Sequence, residues 1–80
     1  MRLEPTLKFK KNLRKFPKNI RDEFYKQSGF LLQNLRHPSL HAKKYDEPTD
    51  LWQARVTKGI RFYFLIEKDA YVLINIKKHD

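Results

Sequence analysis

The sequence predicts an α+β domain: a small antiparallel β-sheet with an N-terminal two-helix hairpin packed on one face. Two observations predict it. From Leu51 onward apolar residues occupy alternate positions, at Trp52, Ala54 and Val56, then Ile60, Phe62, Phe64 and Ile66, then Val72, Ile74 and Ile76. That is the period of strands with one buried face. Upstream, Phe9, Leu13, Phe16, Ile20, Phe24, Ser28, Leu31 and Leu35 recur at spacings of three and four, the stripe of amphipathic helices able to cover that face.

Taken in order, Met1 to Glu4 reads as a short leading strand, with Pro5 limiting its length and suiting a sheet edge. Thr6 is a helix N-cap, and helix one is expected over Thr6 to Phe16. Pro17 cannot sit inside a helix but is tolerated at a first position, so helix two is expected over Pro17 to Leu35, with a bend allowed at Gly29. Arg36 to Asp50 is rich in turn formers, and Leu40 to Tyr45 within it can add a strand at the sheet edge. If Tyr45 faces the core, Lys44 faces the other side; if Lys43 does, that strand is bulged or shifted. A three-residue loop, Thr57-Lys58-Gly59, pairs Ala54 with Phe62 and Gln53 with Tyr63 and keeps the two faces separate. Gly59 would take the left-handed position that ends such loops.

The chain has 80 residues, enough for a single domain spanning 1–80, and carries 18 Lys and Arg against nine acids, a net charge of +9. Such a domain buries only roughly 60–65% of its unfolded surface. The charge favours a polyanion or an acidic protein as partner. With no cysteine there is neither a disulfide framework nor a thiolate metal site. No apolar run approaches the ~20 residues of a membrane span and the N-terminus lacks a signal-peptide core, so the expected location is cytoplasmic, away from membranes. Two glycines cannot build a phosphate-cradling loop. Pro38 breaks the helix that would align His37 with His41, so loop polarity accounts for these histidines better than a metal does. No cofactor is expected.

Function is then sought on the polar face of the sheet, where Arg55, Arg61, Tyr63, Lys77 and, by extension, His79 alternate with the core positions. Between Glu4 and Asp22 there is no acid, while Lys8, Lys10, Lys11, Arg14, Lys15, Lys18 and Arg21 all occur. Such unpaired cations suit phosphate contacts that orient without reading sequence. RNA brings its own nucleophile, the 2′-hydroxyl, so a catalyst needs cations for the developing charge and groups that move two protons. The arginines supply the first, and His79 moves protons near neutral pH. On residues alone, a basic binding face without turnover is equally compatible.

The helices joined at LRKFPKNI, the segment HPSLHAKKYD, and the tail LWQARVTKGIRFYFLIEKDAYVLINIKKHD together resemble the RelE/ParE superfamily of toxins from toxin–antitoxin systems, over nearly the full length. The resemblance implies a compact sheet with two helices on one side. In the RelE-like branch it implies a ribosome-dependent endoribonuclease that cleaves mRNA and needs no metal. By position, Arg55 and Arg61 resemble the strand arginines that hold phosphate and stabilise the transition state, and His79 the histidine that transfers a proton. Lys43 and Lys44 resemble the basic pair before the central strands, with Lys44 taken as catalytic and Lys43 as RNA-binding. Tyr63, Lys77, Lys8, Lys11, Arg14 and Lys15 complete the expected RNA-binding set. The implied partners are a cognate antitoxin, acidic in part, with mRNA and the ribosome. Leu65 and Leu73, apolar on the polar face, would meet that antitoxin. ParE-like members share the fold but inhibit DNA gyrase, and this reading and a non-catalytic RNA-binding module are the alternatives.

Overall fold

A computed structural model describes residues 1–79; Asp80, the last residue of the His-Asp ending, lies outside the described residues. In chain order the elements are β1 (Arg2–Pro5), α1 (Leu7–Arg14), α2 (Lys18–Gln33), a 3-10 turn (Pro38–Leu40), β2 (Lys43–Asp46), β3 (Leu51–Thr57), β4 (Ile60–Ile66) and β5 (Ala70–Lys78). The strands form one sheet in the order β1-β5-β4-β3-β2. Neighbours from β2 to β5 pair antiparallel, but β1 lies parallel to β5, so the sheet is mixed where a wholly antiparallel one is expected. The helices separate β1 from the rest of the sheet in sequence and free it to pair at the edge opposite β2.

Helix boundaries follow local chemistry. The Thr6 hydroxyl accepts from the Phe9 amide at 3.2 Å and donates to the Leu73 carbonyl at 2.8 Å. It therefore caps α1 and pins that end to β5. α1 is shorter than expected and stops at Arg14. Pro17 is the N-cap of α2, one position before the helix, and its carbonyl accepts from the Ile20 and Arg21 amides. α2 continues through Gly29 without interruption. The expected stripe is the buried one. Phe9, Leu13, Phe24 and Leu31 belong to the core cluster, and Phe16, Ile20 and Leu35 pack against it. A chain of aromatic contacts joins the layers, from Phe9 to Phe24 at 5.0 Å and from Phe24 edge-on to Phe62 at 5.2 Å; each such pair stabilises by ~0.5–1.5 kcal/mol beyond burial.

The β3–β4 register is the expected one, Ala54 opposite Phe62 and Gln53 opposite Tyr63, but the chain reaches it differently. Thr57 pairs with Ile60 across a two-residue turn, Lys58-Gly59, and Val56 is an extra, bulged residue. The bulge supplies the odd residue assigned by sequence to the loop, and Gly59 has no positive φ. A second bulge lies in β5, where Asn75 pairs with Tyr63 and Leu73 with Phe64, leaving Ile74 extra. Beyond it the alternation inverts. Leu73 is 1% exposed and Tyr71 is buried, while Val72 pairs with Leu65 on the outer face. Leu73 is thus a core residue and not part of an exposed partner surface; Val72 takes its place beside Leu65. Ile66, expected in the core, is 40% exposed.

A third bulge, at Tyr45, decides the orientation of β2. Lys43 pairs with Gln53 and Lys44 with Trp52 before the register shifts to Asp46 opposite Leu51. Lys43 therefore joins the polar face and Lys44 the covered face.

The β5 bulge makes a sharp prediction. Leu73→Ala should lower unfolding stability by roughly 2–5 kcal/mol, as for a fully buried leucine, and Val72→Ala by less than half as much, both read from urea denaturation. Simple alternation through β5 predicts the reverse order.

Candidate functional site

The outer face of the sheet is built from cross-strand rows. Arg55 on β3 stands opposite Arg61 on β4, and Arg61 opposite Lys77 on β5. Like charges directly opposed on a sheet are destabilising, so this row lowers stability for a reason other than folding. Next to it, Lys43, Gln53 and Tyr63 form a second row. The β2–β4 members Lys43, Gln53, Arg55 and Arg61 line an open cleft of about 360 Å³ with His41, Ala42 and His79, none of them acidic.

Each cation is held differently. Arg61 donates from Nη1 to the carbonyls of Thr57 at 2.7 Å, Lys58 at 3.0 Å and Ile60 at 3.3 Å. The turn closing β3 and β4 therefore orients this guanidinium through one nitrogen. Arg55 is fixed through its backbone, because the Gln27 side-chain amide donates to its carbonyl at 2.8 Å. Gln27, 4% exposed, also donates to the Ser39 carbonyl at 3.0 Å and accepts from the Ser39 hydroxyl at 3.1 Å. It ties α2, the 3-10 turn and β3 together behind the cleft. Ser39 in turn donates its amide to His37 Nδ1 at 3.2 Å, and His37 stacks on Phe30 at 3.9 Å. This frame ends at His41, whose φ of 47° lies in the left-handed region, uncommon for a non-glycine residue. His41 is at the bend that takes the chain from the 3-10 turn into β2 and lines the cleft.

His79 continues the pairing of β5 with β4, its amide donating to the Gly59 carbonyl at 2.8 Å. It also lines a second opening of about 230 Å³ with Tyr45, Tyr63, Lys77 and Lys78, and so joins the two. Tyr63 is 4% exposed, edge-on to Tyr45 at 5.1 Å and beneath the Lys77 ammonium at 5.2 Å. Burial, and secondarily the neighbouring Tyr45, pushes the Tyr63 hydroxyl above its ordinary range, with Arg61 acting in the opposite direction. Tyr63 is consequently a neutral hydroxyl near pH 7 and not a base.

Two polar atoms of residues that line the 360 Å³ cleft are buried without a hydrogen-bond partner among the described residues: Oε1 of Gln53 and Nε of Arg55. Each such atom costs on the order of 1–3 kcal/mol, and neither is satisfied from within the sheet.

The expected residues divide accordingly. Arg55, Arg61, His79 and Lys43 converge, with Tyr63 and Lys77 adjoining. Lys44 does not join them. It lies on the covered face, 5.6 Å from the Trp52 ring centroid and paired with Asp50 at 3.1 Å and Glu47 at 3.8 Å. The hydrogen bond to Asp50, above all, holds its ammonium above the ordinary lysine range, which suits a structural cation and not a proton carrier. Lys8, Lys11, Arg14 and Lys15 are exposed on α1, which packs on the covered side of the sheet through Phe9 and Leu13. Of these, Lys15 lines a groove of about 610 Å³ with Lys77 and Lys78 that leads round the edge of the fold. The basic run is not wholly unpaired, since Lys18 bonds Asp22 at 2.8 Å and Arg21 the Phe16 carbonyl at 2.6 Å. Among the described residues no group of three or more His, Cys, Asp or Glu is placed to hold a metal ion, and no helix is long and apolar enough to cross a membrane. Sequence reasoning missed Gln27, His41 and Gln53 as site residues; the signal for Gln27 is a polar residue beside Ser28, between Phe24 and Leu31 of the helix stripe.

Spectrophotometric titration checks the Tyr63 environment. Phenolate absorbance should show one tyrosine ionising above the others in the folded protein, and Tyr63→Phe should remove that component. Because the folded value is raised, the associated stability is present below the unfolded tyrosine pKa and is lost as pH rises through the folded one.

No protein-family profile matches the chain, and no curated protein matches it in sequence. Solved structures do. The YoeB/ParE toxin from Agrobacterium tumefaciens superposes with a TM-score of 0.82 at 12% identity, covering 100% of both chains. RelE, solved in the archaeal RelE–RelB complex from Pyrococcus horikoshii, gives 0.80 at 17% identity, over 96% of this chain and 92% of its own. YafQ from E. coli gives 0.79 at 12% identity, over 96% and 91%. The chain has the fold of the RelE/ParE toxins, as the resemblance in its tail implies.

Proposed function

We propose that this protein is the toxin of a toxin–antitoxin pair and acts as a ribosome-dependent endoribonuclease on mRNA. The observation that supports it most directly is one cleft, with no acid among its described lining residues, into which Arg55, Arg61, Lys43, His41 and His79 all converge. Phosphate entering such a cleft meets cationic side chains of Lys43, Arg55 and Arg61. Arg61, oriented by the turn, and Arg55, fixed by Gln27, are disposed to bind the scissile phosphate and the charge that grows on it. One histidine takes the proton of the 2′-hydroxyl as its oxygen attacks phosphorus. The other gives a proton to the departing 5′-oxygen. The products are a 2′,3′-cyclic phosphate and a free 5′-hydroxyl. The nucleophile belongs to the substrate and the neutralising charge to the side chains, so this route requires no metal or cofactor. Lys43 replaces Lys44 in the site, and Lys77 with Lys15 extends the phosphate track toward α1.

The cognate antitoxin is proposed to carry acidic residues over the cleft and apolar ones over Leu65 and Val72. With mRNA and the ribosome as targets, the protein works in the cytoplasm. Expression in a bacterial host, with growth followed and mRNA ends mapped, tests the reading. We expect growth arrest with new cuts at translated codons. Arg55→Ala and Arg61→Ala should each reduce cutting by about a hundredfold or more while the fold persists. Lys43→Ala should weaken cutting, and Lys44→Ala should leave it within about twofold of wild type, consistent with a surface ion pair of small worth. Arrest without cuts would point to gyrase, and no arrest to a binding module.

A further inference from the structure

We propose that the chain forms a weak back-to-back dimer through the outer side of α2, with both cationic clefts turned to solvent. The inference stands whatever the cleft does. Tyr25, Gly29 and Leu32 recur on α2 at spacings of four and three, so they share one side of the helix, and it is not the side that builds the core. Tyr25 is 57% exposed and Leu32 42%. Beside Tyr25 a pocket of about 240 Å³ opens between α1, α2 and β1, with Leu3, Phe9, Leu13, Phe24 and Leu73 in its lining. Gly29 is the residue that the chain by itself does not explain. A glycine inside a helix weakens it relative to alanine. Yet φ at Gly29 is not positive, and a β-carbon there would meet nothing within 4 Å beyond its own stretch of helix. What glycine does permit at that place is the close approach of another helix.

The occupant that fits is a second copy of this chain. A two-fold contact needs one surface that carries both knob and hole, and this surface carries Leu32 and the pocket at Tyr25. When two α2 helices cross antiparallel at Gly29, Leu32 of each copy is directed toward the pocket beside Tyr25 of the other. Charge favours the same occupant. The chain carries +9, so most of its surface repels a copy of itself. From Asp22 to Gln33, however, α2 has two acids, Asp22 and Glu23, against one base, Lys26. A polyanion or an acidic protein finds no excess of cations there. Asp22 and Arg36, both exposed, lie equally far in sequence from Gly29 on opposite sides. An antiparallel crossing therefore brings Asp22 of each copy toward Arg36 of the other. Within the chain Asp22 pairs with Lys18 at 2.8 Å, an exposed bridge of small worth that exchanges readily. α2 packs on the covered side of the sheet through Phe24 and Leu31, so pairing on its far side leaves both clefts open.

Sedimentation velocity of the whole chain tests it, after refolding from urea to strip any bound partner, over about 1 to 500 µM. We expect a monomer–dimer equilibrium with a Kd of about 10–100 µM, as for a small contact. Pairing should be tighter in about 0.5 M than in about 0.05 M NaCl, because salt screens the repulsion between two basic chains; association through a nucleic acid would weaken instead. Leu32→Lys should weaken the dimer by at least about tenfold. Gly29→Gln should do the same while raising the urea midpoint of the dilute chain, since glutamine is the better helix former. A change that acts through the monomer fold alone would not move the two in opposite directions. Asp22→Arg and Arg36→Asp should each weaken pairing about threefold or more, and together restore it. Circular dichroism shows that each variant is folded. The proposal is overturned if the chain stays monomeric throughout at both salt concentrations, the result when this face serves a different protein. It is equally overturned if a dimer forms that Leu32→Lys and Gly29→Gln leave unmoved, or if the double charge exchange fails to restore pairing.

Discussion

The register between β3 and β4 is the constraint on which the rest of the molecule depends. A sheet shifted by one residue would turn every arginine inward and every phenylalanine outward. Here a bulge at Val56 holds Ala54 opposite Phe62 and Gln53 opposite Tyr63, so that one face is oily under two helices and the other is cationic and open. The same bulged end of the hairpin carries the carbonyls that hold Arg61. The device that separates the faces therefore also orients a principal side chain of the site.

The cost of that site is visible in its electrostatics. Arg55 and Arg61 are directly opposed, two buried polar atoms have no partner among the described residues, and His41 adopts a left-handed backbone. Each is unfavourable by itself. They are concentrated in one cleft, while the opposite face is conventionally packed around Phe9, Phe24, Phe62 and Phe64. Gln27 links the two regimes. It is a polar residue in the helix layer whose amide reaches through to the Arg55 carbonyl, so the covering helices support the site as well as the core.

How much of this was legible in the sequence varies with local pattern. From Gln53 to Thr57 in β3 and from Ile60 to Tyr63 in β4 core and outer-face residues alternate, and the pairing can be read from them directly. In β5 the run Tyr71-Val72-Leu73-Ile74 is apolar at every position, so a bulge within it leaves no trace in composition, and Leu73 and Val72 exchange faces unseen. Lys43 and Lys44 are chemically alike and adjacent, and only the shift at Tyr45 decides which of them reaches the cleft. The likeness to RelE/ParE toxins, carried by the tail as a whole, is borne out in the fold. His41 and Gln53 escape because their roles come from three-dimensional placement: one stands at a bend after a turn, the other is surrounded by neighbours that do not satisfy it.

Among the described residues no element layers over the outer face. Leu65 and Val72 are partly exposed, and they lie on the same side of the sheet as the cleft. A partner that covers both adds the missing layer, and any ligand that binds only the folded state stabilises it by mass action. If the proposed antitoxin is that partner, silencing and stabilisation are one event. On the proposed reading, the bound protein would be the long-lived form, and the free protein, with that face uncovered, the form that cellular proteases remove first.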